Sequence, residues 1–180
     1  VIPRGIVDKV ISITMKRADA YLSSGVETNK YFAYYGVDTN KCHLYPISSL
    51  SNEDIEKHAL LVKNKALYKK ELFTEEFVLL SVGQQIPRKG YDVLAKAMIN
   101  LPKNIGLYIV GGKPEENVKH LVNENTLSNV HFVDFMSKEE LGKYYAGSDV
   151  FVLPTRYDIW GLVINEAMSF GLPIISTDHC

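Results

Sequence analysis

A chain of 180 residues, 46% hydrophobic and 23% charged, can bury a real core, enough for one full domain or for one domain plus part of another. Its 20 basic and 21 acidic residues give a formal charge of -1, which excludes an overall bias toward nucleic acid or an anionic membrane, so any anion must be held by a local site. Cys42 and Cys180 are far apart and stand beside His43 and His179 at no chelating spacing, so no metal is expected and a reducing cytoplasm is.

No apolar run approaches the roughly 20 residues of a membrane span. Pro3 and Arg4 interrupt the start where a signal peptide would be apolar, and the absent initiator Met is read as the mark of a fragment. Residues 1–50 offer two helix and strand pairs, IVDKVISITMKRA into AYLSS and VETNKYFAYYG into CHLYPI, too few for a closed core. Residues 51–76 read as a polar connection into a helix, and the domain boundary is placed there. Its lysines (Lys57, Lys63, Lys65, Lys69, Lys70) are interleaved with acids and are expected on a solvated helix face.

Residues 77–180 alternate short apolar runs with segments of helical period, the pattern of a doubly wound, Rossmann-like α/β domain with a parallel sheet. The expected strands are FVLLSV (77–82), GLYIVG (106–111), NVHFVD (129–134), DVFVLP (149–154) and PIIST (173–177). The first helix between them is expected to bury Val93, Leu94, Ala97, Met98 and Leu101, and the second to open on Pro114. Ser137 and Glu140 form a capping box before the third, and Gly171 and Pro173 stop the fourth. The domain is expected to be incomplete at its C-terminus.

In PTRYDIWGLVINEAMSFGLPIIST (154–177), Asp158 and Glu166 lie eight positions apart across Gly161. If a helix begins near Gly161, the backbone N–H groups of Gly161, Leu162 and Val163 point from its N-terminus, where the peptide dipoles favour an anion such as a diphosphate. Gly161 lets a phosphate approach closely, and Glu166, about a turn further in, can accept from a diol such as a ribose. Asp158 falls in a loop after a strand's carboxyl end, where open parallel sheets bind ligands. The alternative makes Asp158 a helix cap and Glu166 a solvated residue. A second anion signal is SVGQQIPRKGYDV, in which Arg88 and Lys89 precede a helix and can reach a phosphate. IVGGK (109–113) contains no GxGxxG, so a nicotinamide fingerprint is missing.

PTRYDIWGLVINEAMSFGLPII resembles the signature of the retaining glycosyltransferases of GT-B fold known as family 4, in which an acid, seven residues and a glutamate span the loop and helix. VGQQIPRKG resembles the family's first glycine loop, and LYIVGG, VHFVDF and YYAGSDVFVLP follow in the family's order. The resemblance covers Phe77 to Cys180 strongly and Ala20 to Leu50 loosely. It implies that 1–50 ends the acceptor-side domain and that 77–180 is the C-terminal nucleotide-sugar-binding domain.

The resemblance further implies transfer of a sugar, with retention, from a nucleotide-diphosphate sugar to a glycan or lipid-linked acceptor. Glu166 would bind the ribose, Gly161 to Val163 the diphosphate, and Lys89 would neutralise it, with Gly83, Gln84 and Arg88 completing the donor loop. Asp158 would stand where the family has a glutamate facing the sugar. Gln84 replaces the family's arginine, which removes a bidentate phosphate donor, and Asp158 is about 1.5 Å shorter than glutamate. These departures motivate a non-catalytic nucleotide-sugar-binding subunit as an alternative, and a sugar-nucleotide epimerase of the same architecture is another. No Asp-x-Asp pair is present, so neither a bridging metal nor another cofactor is expected. The family's setting, polysaccharide or glycolipid assembly, implies a cytoplasmic protein whose full-length form touches the membrane face peripherally, and the fragment alone is expected to be inactive.

Overall fold

The computed structural model describes residues 4–45, 48–158 and 160–179. Cys180, and Pro46 and Ile47 at the end of the second expected strand, lie outside them. The chain divides into two compact units, Val1–Ser48 and Ser49–Cys180.

In the first unit, helix α1 (Arg4–Met15) leads to strand β1 (Tyr21–Ser23), and α2 (Val26–Tyr34) to β2 (Cys42–Leu44) through a 3-10 turn at Thr39–Lys41. The two strands pair in parallel, Tyr21 opposite Cys42. Tyr21, Ser23 and Val37 are its buried residues among those described, while Ile6, Val10, Leu22 and Leu44 are exposed. That is the small core two helix and strand pairs allow.

The second unit opens with α3 (Asn52–Val62) and α4 (Lys65–Leu72), so the segment read as a connection is two helices of this unit. Ser51 starts α3 as one half of a capping box with Asp54. The lysines do not all face solvent: Lys57 pairs with Glu53 on the exposed surface, whereas Lys65 and Lys69 reach Asp149 at 3.1 and 2.5 Å.

Five parallel strands follow, β3 (Phe77–Val82), β4 (Ile105–Val110), β5 (Val130–Val133), β6 (Val150–Leu153) and β7 (Ile174–Ser176), in the order β5-β4-β3-β6-β7. They alternate with α5 (Tyr91–Met98), α6 (Glu116–Glu124), α7 (Lys138–Gly147) and α8 (Leu162–Ser169). Successive strand side chains point to opposite faces. Val78, Leu80, Tyr108, Phe151 and Leu153 therefore enter one core with Tyr145, Ala167 and Phe170 of the α7 and α8 side. Leu79, Leu107, Ile109 and Val152 enter the other with α5 and α6. Burial on both faces is why β3, β4 and β6 read as nearly continuous apolar runs, and the doubly wound fold is as the sequence predicts.

Two details differ. Helix α5 buries Tyr91, Leu94, Ala95 and Met98, while Val93 is 51% exposed and Ala97 also faces solvent. The helix starts at Tyr91, whose ring takes the inward face and fixes the i, i+3, i+4, i+7 stripe one residue off the predicted one. Pro114 does not open α6, because Glu115 adopts an extended N-cap with ψ 147° and Glu116 is the first helical residue. The capping box of Ser137 and Glu140 forms at the predicted place and starts α7.

Candidate functional site

From β3 the chain proceeds to β4 and β5 on one side, then returns to β6 on the other side of β3. The chain order therefore reverses between the neighbouring strands β3 and β6, and the crevice at their carboxyl ends is where open α/β sheets place ligands. The β3–β6 ladder pairs Leu79 with Val150 and Leu80 with Phe151. One residue on, the buried Ser81 hydroxyl donates to the Val152 carbonyl at 2.6 Å and carries the contact toward the crevice.

The β3 loop starts at Gly83, whose carbonyl accepts from the Tyr91 hydroxyl at 3.2 Å. Burial pushes the Tyr91 phenol up to about 12, so it stays a donor. Gln84 is exposed. Pro87–Lys89 form a 3-10 turn that ends at Gly90, with φ 73°. A Cβ at Gly90 would lie 2.1 Å from the Pro154 carbonyl oxygen, so only glycine lets the two loops close to this distance. Lys89 is buried at 7% exposure.

From the β6 side come Pro154, the fully buried Thr155, Arg156, Tyr157 and Asp158. Asp158 accepts a hydrogen bond from the Lys89 ammonium, and Arg88 stands 3.7 Å from its other oxygen while donating to the Tyr157 carbonyl at 3.1 Å. The Asp158 amide donates to the His179 carbonyl at 2.9 Å, which ties the loop to the segment leaving β7. Gly161 follows as the N-cap of α8 in the left-handed region (φ 62°, ψ 43°), with no side chain capping the helix. The amides of Leu162 and Val163 open the first turn of α8, and the peptide dipoles give that end positive character.

Glu166 lies one turn into α8. Its carboxylate accepts the Tyr145 hydroxyl at 3.2 Å, and its side chain lines a void of about 20 Å³ with Tyr145, His58 and Phe170. Burial, then the neighbouring Glu166, holds the Tyr145 phenol well above its ordinary pKa, which keeps it protonated as donor. The structure thus brings Lys89, Arg88 and Asp158 together and sets Glu166 a turn beyond the Gly161 cap. Two cations and an uncapped helix start can receive an anion, and a carboxylate in the same crevice competes with it for Lys89.

Other residues of the site carry no sequence motif. Thr155 Oγ1 lies 3.1 Å from the Arg88 carbonyl and 3.0 Å from that of Tyr157, and Arg156 pairs with Asp92 at 2.7 Å. The hydrogen bond from Arg156 holds the Asp92 carboxyl below its ordinary value. Both amide atoms of Gln85 are buried without a partner among the described residues. A larger cavity, about 470 Å³, lies between α6 and the edge strand β5, lined by Lys113, Lys119, Val122, Val130 and Phe132. Its Lys119 stands 3.9 Å from Glu116, and it lies at the sheet edge rather than at the switch point, so the crevice is the better candidate.

A doubly wound α/β sheet with a cationic loop and an open helix N-terminus at its switch point is an arrangement suited to an anionic ligand. The sequence pattern of the family described as glycosyl transferases, group 1, matches residues 62–180, and the chain belongs to that family. It is 30% identical over 111 residues to the lipopolysaccharide glucosyltransferase WaaG of Escherichia coli, a stretch covering 59% of this chain and 29% of that protein. Its fold is similar to sucrose-phosphate synthase from Thermosynechococcus elongatus, with a TM-score of 0.73, 26% identity and coverage of 97% of this chain and 44% of that one. It is also similar in fold to HepE of Anabaena in complex with UDP and glucose, at a TM-score of 0.68 and 19% identity, covering 97% of this chain and 49% of that one. The architecture is that of a GT-B glycosyltransferase domain. The chain spans about half the length, or less, of the curated relatives it matches.

Proposed function

We propose that this chain carries mainly the donor-binding half of a retaining glycosyltransferase that moves a sugar from a nucleotide-diphosphate sugar to a glycan or lipid-linked acceptor. The observation that carries the reading is the position of the Lys89 ammonium at the switch-point crevice, with the α8 N-terminus following in the other loop. When the sugar leaves, the diphosphate gains negative charge, and a fixed ammonium and helix dipole favour that charge more in the transition state than in the donor. In this reading Lys89 and the Gly161–Val163 backbone hold the diphosphate, Glu166 the ribose hydroxyls, and Asp158 the sugar. The UDP and glucose bound by HepE support the donor class, and the name of WaaG supports an envelope glycan as acceptor. Retention follows from the sequence resemblance, as does action at the cytoplasmic face of the membrane.

Thermal-shift measurements with UDP, GDP, ADP and their sugars test the reading on this chain. A ligand that binds only the folded state stabilises it by about 2.7 kcal/mol at a hundred times its Kd. One of the three diphosphates is expected to raise the melting temperature while no sugar transfer is seen from this chain alone. If none shifts it at millimolar concentration, the donor-site assignment is wrong.

A further inference from the structure

Lys89 and Asp158 lie on different loops, so their ion pair keeps its geometry only as far as the loops that carry it are held. The loops themselves are joined directly. The Arg88 carbonyl accepts from the Arg156 amide at 2.7 Å, and the Arg156 guanidinium donates to the Pro87 carbonyl at 2.6 Å and to Asp92 at 2.7 Å. Thr155 adds its hydroxyl beneath Arg88, and Gly90 rests on the Pro154 carbonyl. These contacts fix the backbone on both sides of Lys89 and two residues before Asp158.

We propose that Arg156 is a positioning residue that clamps the β6 loop to the β3 loop and so sets the Lys89 ammonium against Asp158 at the place where a diphosphate arrives. That last clause rests on the donor-site reading. The planar guanidinium suits the task because it serves a carbonyl and a carboxylate at once, which the point charge of a lysine cannot do. Its side chain is 47% exposed, so its removal spares the core.

The clamp is testable without any ligand. Dilute acetic anhydride acetylates accessible, unpaired amines, and peptide mass spectrometry reads each lysine's rate. In the unaltered chain, buried Lys89 should react far more slowly than exposed Lys96. Arg156→Ala should raise the Lys89 rate about tenfold, the worth of one charge-assisted hydrogen bond, and Arg156→Lys should fall between. Lys69, paired with Asp149 at the other end of the sheet, should not change, which separates local release from unfolding. Should Arg156→Ala not fold, Asp92→Asn removes the anion that the guanidinium grips and should raise the Lys89 rate in the same direction.

Calorimetry with UDP, GDP and ADP forms the second arm. Whichever binds should lose about tenfold in affinity on Arg156→Ala, and the bare nucleoside much less. An unchanged Lys89 rate in a folded Arg156→Ala chain overturns the clamp whether or not a nucleotide binds. A raised rate with undiminished diphosphate affinity overturns its service to binding. Failure of the unaltered chain to bind any of the three overturns the donor reading and leaves the acetylation result to decide the clamp.

Discussion

Strand β6 has an aspartate before it and another after it, and each meets a lysine. At the amino end, Asp149 accepts from Lys69 at 2.5 Å and from the Val78 amide at 2.9 Å, with Lys65 at 3.1 Å, while its own amide donates to the Val78 carbonyl at 3.0 Å. Burial pushes its carboxyl up, but these donors outweigh that and hold its pKa below the ordinary value. At the carboxyl end, Asp158 meets Lys89 and Arg88 within two loops. Asp149 continues the join between β3 and β6 and anchors α4 to it, so every partner sits on or beside a regular element. Asp158 shares its lysine with a crevice that an anion can enter. The same pair chemistry stands at both ends of a parallel strand, but only the carboxyl end lies at the switch point, where open α/β sheets place ligands; on the proposed donor-site reading that pair serves ligand capture, while the amino-end pair serves stability.

The comparison breaks most visibly at Asp149. Asp149→Ala strands Lys69 and the Val78 amide and should cost about 2–4 kcal/mol of stability. For a chain of this size that is a fall of roughly 5–15 °C in Tm, with no loss of diphosphate affinity per folded molecule. Asp158→Ala should do the reverse in the full-length protein. Turnover should fall roughly a hundredfold, about 2.7 kcal/mol, while diphosphate affinity is held or rises because Lys89 is released from its carboxylate. Steady-state kinetics and calorimetry read the two terms separately. If Asp158→Ala lowers Tm as Asp149→Ala does and spares turnover, the carboxyl-end pair is structural too.

Lys89 and Glu166 sharpen the distinction within the site. Lys89→Ala should weaken the nucleoside diphosphate about tenfold to a hundredfold, or 1.5–3 kcal/mol, and the bare nucleoside hardly at all, since its charge acts on phosphate. Glu166→Ala should weaken both, because ribose is common to them. Identical ligand profiles for the two variants, measured by calorimetry, would remove the assigned roles.

What the sequence discloses follows the range of each interaction. Strand β3 and helix α7 fall at the predicted residues because an unbroken apolar run and a capping box are local signals. The helix start at Gly161 is legible for the same reason, since a glycine stands where a loop becomes a helix, and the structure adds that this glycine is left-handed. The joins between loops are not legible. Arg156 and Asp92 are 64 residues apart, Lys89 and Asp158 are 69 apart, and Lys69 and Asp149 are 80 apart. No local pattern marks which lysine of a run of lysines will find an aspartate on a distant strand, so Lys65 and Lys69 read as solvated while they anchor the sheet. Lys89 and Asp158 come to one donor site only through the family resemblance, and their direct pairing is visible in the topology alone.

The smallest expected effect lies at His58, on the α3 side of α8. Its ring stacks on Phe170 at 4.0 Å, and its Nδ1 lies 2.7 Å from the Ser169 hydroxyl, which itself donates to the Glu166 carbonyl at 2.6 Å. Because the serine proton is committed to that carbonyl, Nδ1 carries the hydrogen and donates to Ser169. Burial lowers the pKa of His58, and the nearby charges of Asp54 and Lys138 act on it in opposite directions, Asp54 raising and Lys138 lowering it. A lowered folded-state value means that the unfolded chain binds the proton more tightly. The neutral ring therefore contributes its full stability above the unfolded value near about 6.5, and that contribution is lost as pH falls through the folded value. His58→Phe keeps the stack and removes both the hydrogen bond and the titration. At pH 8 it should cost about 1 kcal/mol, the net worth of one hydrogen bond. On acidification the gap between the two chains should narrow, since only the histidine form pays to bury a charge. Parallel stability curves from pH 8 to pH 5 would show that the His58 ring takes its proton in water-like surroundings, and curves that also coincide would show that it plays no part in holding α8.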